Sequence, residues 1–418
     1  MRSGRCLHEG IAHVNFDDSP EEAAYRAQVR AWLQEHVPVQ SDSWKRGSEA
    51  ERLSVARRWQ ACKAAAGYAR VSWPREWGGG GGIPIQQVIF NQEEARYEVP
   101  TGFFNIGLGM CIPTVAKFAD AEVRARLIGP ALRGEEIWCQ LFSEPAAGSD
   151  LAGLRTRAVR HGDGWRINGQ KVWTTGAHYS DYGLLLARSD VSVPKHAGLT
   201  MFWIEMRAPG VTLRPIHQMS GSSEFSEVYL TDVLVPDAQR LGDVGSGWQV
   251  AVFTLLNERL EGSKDRGPAL EQILTLARSV PNGRATVLED PAFRRRLAHW
   301  YVQAEGLRLA RYRALTALSR GQTPGPEAAI GKLVAANRLQ ELTDQLIECQ
   351  ELYGLITDPV LAALQGNVQR DYLQAPGLRI AGGTDEILKN LIAERVLGLP
   401  AEARADKQVP FSELPTGR

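Results

Sequence analysis

The hydrophobic pattern changes twice along the chain, and these changes restrict the fold more than any other feature of the sequence. Up to Trp138 the apolar residues recur at helical spacing, as they do from Tyr25 to Leu33. After Trp138 the chain contains short alternating and β-branched runs, and beyond Pro236 the helical spacing returns. The order helical, β, helical predicts helices and a sheet in separate parts of the molecule, with no repeating βαβ unit.

Cap and turn residues predict where several elements begin or end. Ser19 and Glu22 form a capping box with Pro20 at the first helical position, so a helix begins there. Asn168-Gly169 lies between two β-type runs and predicts a hairpin turn, and the glycine run 78–82 predicts a loop. The predicted strands are Trp165–Ile167, Lys171–Thr175, Leu184–Ala187, Leu199–Ile204, Val211–Leu213 and Glu227–Val235. The further predicted helices are Glu93–Tyr97, Ala121–Leu127, Trp248–Ser263, Ala269–Ser279, Pro291–Ser319, Pro326–Tyr353 and Asp385–Leu397.

Charge and motif content argue against several classes of protein. Lysine plus arginine is 48 and aspartate plus glutamate is 48, so the formal net charge is zero and nucleic acid is not an expected partner. No apolar run reaches transmembrane length and the first residues lack a signal-peptide core, so we expect a cytoplasmic protein without a membrane span. Five scattered cysteines without a C-x-x-C pair predict neither a disulfide framework nor a metal site. The lack of G-x-G-x-x-G, phosphate-loop and G-x-S-x-G motifs disfavours nicotinamide-binding, kinase and hydrolase functions.

The segment Ile137–Leu151, which reads I-W-C-Q-L-F-S-E-P-A-A-G-S-D-L, has the composition of a binding loop. An apolar run leads into it, and Pro145 and Gly148 prevent it from forming a helix. Its backbone N–H groups and two serine hydroxyls suit a flat polar ring or an anion. A second segment, Lys171–Gly176 with the sequence K-V-W-T-T-G, places an indole beside two hydroxyls.

These two segments resemble the T/S-E-P-x-A-G-S-D and K-x-W-x-T motifs of the acyl-CoA dehydrogenase family of flavoproteins. Three further motifs follow the family's order, at Trp73–Gly79 (W-P-R-E-W-G-G), Leu256–Arg259 (L-N-E-R) and Gly382–Ile387 (G-G-T-D-E-I). The resemblance extends from about Phe16 to Pro400. It implies an α+β multidomain fold with a helical N-terminal domain (16–137), an antiparallel β-barrel-like middle domain (138–240) and a four-helix-bundle C-terminal domain (241–402). Residues 1–15 and 403–418 would be tails.

The resemblance implies FAD as the cofactor, held between the β domain and the C-terminal helices. In the family, the residues that match Ser143 and Thr175 bond the pyrimidine side and the N5 region of the isoalloxazine, and Trp173 packs on the ring. Such donors suit the negative charge that develops when the ring accepts hydride. Arg278 loosely resembles an arginine that reaches the flavin pyrophosphate of a neighbouring subunit, and Thr384 is also a possible helix N-cap. The implied cofactor-binding residues are Gln140, Phe142, Ser143, Gly148, Ser149, Trp173, Thr174, Thr175, Arg278, Gln350, Gly354, Thr384 and Glu386.

The position of the catalytic base departs from the commonest family pattern. The chemistry needs a carboxylate that removes the proton α to the thioester while hydride leaves the β-carbon for N5 of the flavin. In most members this glutamate precedes the G-T of the C-terminal motif, but here Gly382 stands at that position. A minority, including the isovaleryl and long-chain enzymes, carries the base on an earlier helix, in a pair that matches Glu258-Arg259. Glu258 is therefore the implied base and Glu261 the next candidate. Considered alone, Glu258 also fits a solvated helix glutamate paired with Arg259 or Arg266.

The resemblance also implies the substrate and the partners. An acyl-CoA would bind at Ser149, Arg259, Ala381 and Gly382, and the two small residues lead us to expect a branched, bulky or otherwise non-linear acyl group. An electron-transferring flavoprotein is the implied acceptor, and a homo-oligomer, dimer or tetramer, is the implied assembly. Two alternatives stay open: a flavin-poor or partner-dependent subunit of a heteromeric dehydrogenase, and an acyl-CoA oxidase or an enzyme of acyl-carrier-protein thioesters.

Overall fold

The computed structural model describes residues 18–37, 47–260, 267–319, 328–402 and 406–415. N-terminal helices, a middle sheet and C-terminal helices follow one another, which confirms the predicted three-part layout, while the exact domain limits stay predictions. The helices in these ranges are α1 Pro20–His36, α2 Glu49–Ala65, α3 Pro84–Glu94, α4 Ile112–Phe118, α5 Ala121–Leu132, α6 Gly247–Leu260, α7 Leu270–Ser279, α8 Pro291–Ser319, α9 Ala328–Glu348, α10 Asn367–Ile380 and α11 Asp385–Arg395. The strands are β1 Trp138–Leu141, β2 Arg157–His161, β3 Gly164–Thr175, β4 Tyr182–Arg188, β5 Leu199–Glu205, β6 Val211–Ile216, β7 Phe225–Pro236, β8 Arg240–Leu241, β9 Pro281–Asn282 and β10 Ala285–Thr286.

The first helix begins at the residue that its cap predicts, whereas the third does not. The capping box at the start of α1 is confirmed: Ser19 Oγ accepts from the Glu22 amide at 3.2 Å, and Glu22 Oε2 accepts from the Ser19 amide at 2.8 Å. The helix expected at Glu93–Tyr97 instead begins at Pro84 and ends at Glu94. Proline suits the first helical turn, so α3 starts directly after the glycine-rich loop.

The middle sheet is open and mixed, so the expected antiparallel barrel-like domain is corrected. In the described chain the strands pair in the order β6-β7-β3-β2-β4-β5-β8, and β1 pairs with β4 in parallel. A second parallel contact joins β2 to β4, at Arg157 and Arg188. The reason lies in β4, whose residues are all buried. Leu184 and Leu186 face the core shared with the helices, and Leu185 and Ala187 face the core within the sheet domain. A strand that is apolar on both faces is typical of parallel pairing.

The hairpin predicted at Asn168-Gly169 is wrong. Strand β3 runs through both residues without a break, and the turn from β2 comes earlier in the chain. Asn168 instead pairs with Asp232 of β7 at a β-bulge: its Nδ2 donates to Asp232 Oδ1 at 3.0 Å, and its Oδ1 accepts from the Asp232 amide at 2.9 Å. A Cβ at position 169 would lie 2.4 Å from Thr156 Oγ1, so glycine is required here by close packing and not by a turn.

Helix α9 lies at the centre of the C-terminal part, where it packs against α6, α8, α10 and α11. It ends at Glu348, earlier than the predicted Tyr353, because a short 3-10 turn over Glu351–Leu355 replaces its last residues. Helix α10 was not predicted. Several large apolar side chains beyond α9 are exposed, namely Leu352, Tyr353, Leu355, Val360 and Leu361.

Three further observations concern the described residues as a whole. None of the helices there combines the length and the apolar character needed to cross a bilayer. No group of three His, Cys, Asp or Glu side chains in that part of the chain is placed to hold a metal ion. The thiols of Cys62, Cys111, Cys139 and Cys349 are free, and Cys6 lies outside the described residues.

Candidate active site

The loop between β1 and β2 begins and ends beside one strand, β4. β1 pairs with the first half of β4 and ends with Leu141 opposite Leu185. β2 begins with Arg157 opposite Arg188, on the same edge of β4. Residues 142–156, which we call the edge loop, therefore have both ends fixed on β4, and most of the Ile137–Leu151 segment lies in this loop.

A buried ion pair ties the edge loop to β3. Lys171 Nζ is wholly buried and donates to Glu144 Oε1 at 2.8 Å and to the Phe142 carbonyl at 3.0 Å. The Glu144 carboxylate also accepts from the backbone amides of Arg155 at 2.6 Å and Thr156 at 2.8 Å. One carboxylate near the start of the loop thus holds both the end of the loop and the neighbouring strand.

Burial shifts the proton affinity of both partners. It lowers the pKa of the Lys171 ammonium to about 8, although Glu144 beside it opposes the fall. Burial alone would raise the pKa of the Glu144 carboxyl, but Lys171 and the two backbone amides outweigh burial and leave that pKa below its usual value. Neither residue was predicted from the sequence to have a role, although a lysine on a mostly apolar strand indicates a need for a buried partner.

Trp173 projects from a bulge in β3 beside the edge loop. The register with β7 shifts between Lys171 and Thr174, and Trp173 has φ +60 with 58% of its surface exposed. A bulky residue held in this conformation costs on the order of 1–3 kcal/mol and is typical of a functional position. The adjacent Val172 amide donates to the Ser143 carbonyl at 3.0 Å, so the structure brings the two sequence motifs together.

The donor groups of the two motifs fit the isoalloxazine of FAD. Within the described residues the half-buried hydroxyls of Ser143 and Thr175 make no hydrogen bond. Thr174 Oγ1 and Gln140 Nε2 are buried without a partner there. Open space surrounds Gly148, where a Cβ would meet nothing within 4 Å. Buried polar atoms in native proteins are normally satisfied, so unpaired donors beside an exposed aromatic ring indicate a flat polar ligand.

The G-G-T-D-E-I motif forms the turn between α10 and α11. Gly382 and Gly383 have φ +65 and +93, and Thr384 caps α11 by accepting a backbone N–H at 3.2 Å, which confirms it as an N-cap. Lys332 of α9 holds this turn: its Nζ donates to the carbonyls of Gly383 at 2.6 Å and Arg379 at 3.3 Å. A left-handed φ at 382 favours glycine, so a carboxylate-bearing residue at this position would strain the backbone.

Three predicted cofactor residues belong to the C-terminal part of the chain. Arg278 is exposed in the last turn of α7. Gln350 is buried and donates from Nε2 to the Leu346 carbonyl at 2.6 Å, while the Gly354 carbonyl accepts from Gln369 Nε2 at 3.2 Å. No hydrogen bond or ion pair in the described chain joins these three residues to the edge loop, so their contact with the flavin stays a prediction.

The predicted base lies on α6. Glu258 and Arg259 are in the last turn of this helix, while their side chains and all of Glu261 lie outside the described residues. One turn earlier, Thr254 is fully buried and its Oγ1 lies 2.8 Å from Thr114 Oγ1 of α4. The buried π-helical turn that precedes α4 packs against both α6 and β1. Helix α6 is therefore fixed beside the strand that leads into the edge loop.

The remaining predicted residues are exposed. Ser149 is on the edge loop, Ala381 and Gly382 lie between α10 and α11, and Glu386 is in the first turn of α11. Their exposure leaves these positions open to a ligand.

Comparison with known proteins gives consistent matches along the chain. Models of the acyl-CoA dehydrogenase N-terminal, middle and C-terminal domains match residues 19–135, 139–233 and 245–397. The acyl-CoA dehydrogenase FadE34 of Mycobacterium tuberculosis is 37% identical over 343 residues, 82% of this chain, and the match spans only 46% of that longer relative. The acyl-CoA dehydrogenase IpdE1 of the same organism is 36% identical over 390 residues, 91% of this chain and 98% of its own length. A solved structure described as the Tcur3481-Tcur3483 steroid ACAD superposes with a TM-score of 0.75 at 26% identity, over 93% of this chain and 100% of its own.

Proposed function

Because the chain belongs to the acyl-CoA dehydrogenase family of FAD-dependent oxidoreductases, we propose that it oxidises an acyl-CoA with a bulky acyl group to the trans-2-enoyl-CoA. The observation that carries the proposal is the junction of the edge loop with the β3 bulge. There the Val172 amide bonds the Ser143 carbonyl beside an exposed Trp173, and the nearby hydroxyls lack partners in the described chain. The two segments that the resemblance assigns to the flavin ring are thus hydrogen-bonded to each other.

Bound FAD supplies the acceptor for the hydride that leaves the β-carbon. The hydroxyls of Ser143 and Thr175 would hold the polar edge of the ring, and the Trp173 indole would cover part of its face. The buried Lys171–Glu144 pair keeps these groups in position, because it fixes both the edge loop and β3. Donors that are already in place stabilise developing negative charge without reorganising during the reaction.

Glu258 would remove the α-proton of the thioester. The Thr254–Thr114 contact supports this role, because it holds α6, the helix that carries Glu258, against α4. The left-handed φ of Gly382 supports it as well, because the commoner position of the base is one that a glutamate would occupy only with strain. The proton would pass from the α-carbon to the Glu258 carboxylate as the α,β double bond forms.

The proposed acyl group is bulky, branched or ring-bearing. Ala381 and Gly382 are small and exposed at the turn where the resemblance places the glutamate of the commonest family members. A similar structure, at 26% identity, is described as a steroid ACAD, which supports a ring-bearing substrate for this chain. Ser149 and Arg259 would contact the CoA portion, and an electron-transferring flavoprotein would reoxidise the enzyme.

The first experiment adds acyl-CoA to the purified yellow protein under anaerobic conditions and follows bleaching of the flavin. Glu258→Gln should abolish the bleaching, and Glu271→Gln, at an exposed glutamate of α7, should leave it unchanged as the matched control. Bleaching that survives in Glu258→Gln would show that the base is elsewhere. A flavin-loaded native protein that no acyl-CoA bleaches would refute the dehydrogenation itself.

A panel of linear, branched and ring-bearing acyl-CoA thioesters then tests the substrate class. We expect the highest kcat/KM for branched or ring-bearing acyl groups. A clear preference for linear chains of medium length would contradict the assignment. Hydrogen peroxide formed in step with turnover would identify an oxidase. Activity only on a carrier-protein thioester would show that the acyl group is bound to a carrier protein and not to CoA.

The second candidate function is a subunit that needs a partner to hold flavin. It is favoured by the exposed apolar side chains of Leu352, Tyr353 and Leu355, which follow the predicted cofactor residue Gln350 in the chain. A second chain packed on this surface could complete the flavin site. Purification of a colourless homo-oligomer, which becomes yellow only with a partner chain, would support this function, whereas a yellow homodimer or homotetramer would support the first.

A further inference from the structure

The last residues that the structure describes, 406–415, pack against the β domain beside the edge loop. We call them the C-terminal strap. The Phe411 amide donates to the Val193 carbonyl at 2.9 Å, and the Ser412 amide donates to the Val191 carbonyl at 2.9 Å. Pro410 forms a β-bridge with Pro194. The strap thus adds a short antiparallel contact to the connection between β4 and β5.

An ion-pair bridge links the strap to the edge loop. Lys195 is 2% exposed and donates from Nζ to both carboxylate oxygens of Asp150, at 2.8 Å and 2.9 Å. The same Nζ pairs with the Asp406 carboxylate of the strap. A buried ammonium between two partly exposed carboxylates joins the strap directly to Asp150, the residue after Ser149.

A cation–π stack forms the second link. The Arg188 guanidinium lies 3.7 Å from the ring centroid of Phe411, and Arg188 is 2% exposed. Arg188 also donates to the backbone carbonyls of Ala152, Leu154 and Lys195. Its described partners are therefore carbonyl groups and an aromatic ring, and Phe411 covers a guanidinium that holds the second half of the edge loop.

We propose that the C-terminal strap is part of the substrate site: through Phe411 and Asp406 it positions the edge-loop segment 149–154 against the CoA portion of the thioester. Neither residue touches the reacting atoms, so both act as positioning residues, through Arg188 and Lys195. This proposal rests on the proposed function, which places the CoA portion at Ser149. It also explains why a segment that follows the last helix returns to the β domain.

The test measures exchange and kinetics on the full-length, flavin-loaded protein. Phe411→Ala should increase amide hydrogen exchange at Gly153 and Leu154, whose amides bond to the carbonyls of Asp150 and Leu151 at 2.9 Å and 3.1 Å. We expect KM for acyl-CoA to rise about tenfold, equivalent to about 1.4 kcal/mol, while kcat and flavin content change less than about twofold. Phe411→Tyr keeps the ring and should restore both values.

Two further variants complete the design. Asp406→Asn removes one carboxylate of the bridge and should give a smaller change in the same direction, which keeps the test available if Phe411→Ala does not fold. Glu413→Ala changes an exposed residue of the strap and should alter neither exchange nor KM.

The outcomes separate the strap from the proposed function. Unchanged exchange at Gly153 and Leu154 in both Phe411→Ala and Asp406→Asn would overturn the proposal, and so would faster exchange with an unchanged KM. An equal loss in Glu413→Ala would also overturn it, because the effect would then be general destabilisation. If the native protein turns over no acyl-CoA, the proposed function fails, and the exchange data still decide whether the strap holds the edge loop.

Discussion

Replacing Glu144 by glutamine would leave a cation buried without its carboxylate. Lys171 has no exposed side-chain surface. After the change, the Phe142 carbonyl at 3.0 Å is the one acceptor among its described partners that is left unaltered. The two backbone amides of Arg155 and Thr156 would lose a charged acceptor and keep a neutral one. The variant therefore loses the attraction within the pair and weakens both hydrogen bonds that close the edge loop.

The expected loss follows from the pKa of Lys171. The ammonium can escape its buried position by losing its proton, which from a native pKa of about 8 costs about 1.4 kcal/mol at pH 7. Each amide that loses a charged acceptor adds about 1 kcal/mol. Together these effects lower the free energy of unfolding by about 3 kcal/mol at pH 7, the lower end of the 3–5 kcal/mol typical for breaking a buried pair.

The loss should become smaller as the pH rises. The folded pKa of Lys171 lies below its unfolded value of about 10.5. Between about pH 8 and 10.5 the folded chain therefore binds fewer protons than the unfolded chain. As the pH rises through that window, this group makes the native protein more stable. Without Glu144 the folded pKa falls further and the window opens at lower pH. The variant therefore regains about 1.4 kcal/mol relative to the native protein between pH 7 and pH 9.

Urea unfolding followed by circular dichroism at pH 7 and pH 9 measures both effects. Asp163→Asn, at an exposed carboxylate of the same domain, should change the unfolding free energy by less than about 0.5 kcal/mol at either pH. Glu144→Gln combined with Lys171→Met should be more stable than Glu144→Gln alone, because no buried charge remains. A loss below about 1 kcal/mol, or one that grows with pH, would refute the reasoning.

The remaining predictions concern single side chains around the site. Trp173→Gly should raise the free energy of unfolding of the flavin-free protein by about 1 kcal/mol, because glycine adopts φ +60 without strain. A fluorescence titration should show weaker flavin binding, and unchanged flavin affinity would contradict the role of the indole. Gly176→Ala should destabilise by more than about 2 kcal/mol, since φ is +67 and the new Cβ would lie 2.3 Å from Tyr179 Oη, and a small change in urea midpoint would show that the turn can relax. Thr254→Val should cost about 1–3 kcal/mol because Thr114 loses a buried partner, and Thr114→Val added to it should cost little more if the two hydroxyls act as a pair. Thr384→Ala should cost about 1 kcal/mol of thermal or urea stability as the cap of α11 is lost, whereas Thr384→Ser should keep it.

Local signals in the sequence predicted the features that depend on neighbouring residues. The capping box at Ser19, the limits of α8 and the cap at Thr384 each involve groups a few residues apart, and all three are confirmed. The family motifs predicted the cofactor, and the structure places the first two of them side by side through the Val172 amide and the Ser143 carbonyl.

Features that depend on distant partners were missed. Asn168-Gly169 has the composition of a hairpin turn, but Asp232 across the sheet draws Asn168 into a bulge, and no local pattern reports that pairing. The strap was predicted to be a tail because nothing near Phe411 in sequence indicates that Arg188 lies over its ring. Tertiary contacts of this kind override local preference, and a single sequence does not contain them.

Because both ends of the edge loop are fixed on β4, the loop can change during evolution while the sheet stays the same. Its ends meet β4 at Leu185 and Arg188, so residues added between them lengthen the loop and leave the register of the sheet unchanged. Lengthening a loop is cheap, about 0.6 kcal/mol for each doubling. A descendant of this chain can therefore acquire a different ligand-facing surface by insertion or recombination at one place, while the strands beneath it are passed on intact. For the same reason, residues 142–156 form one segment that can be exchanged between related chains without moving the strands beneath it.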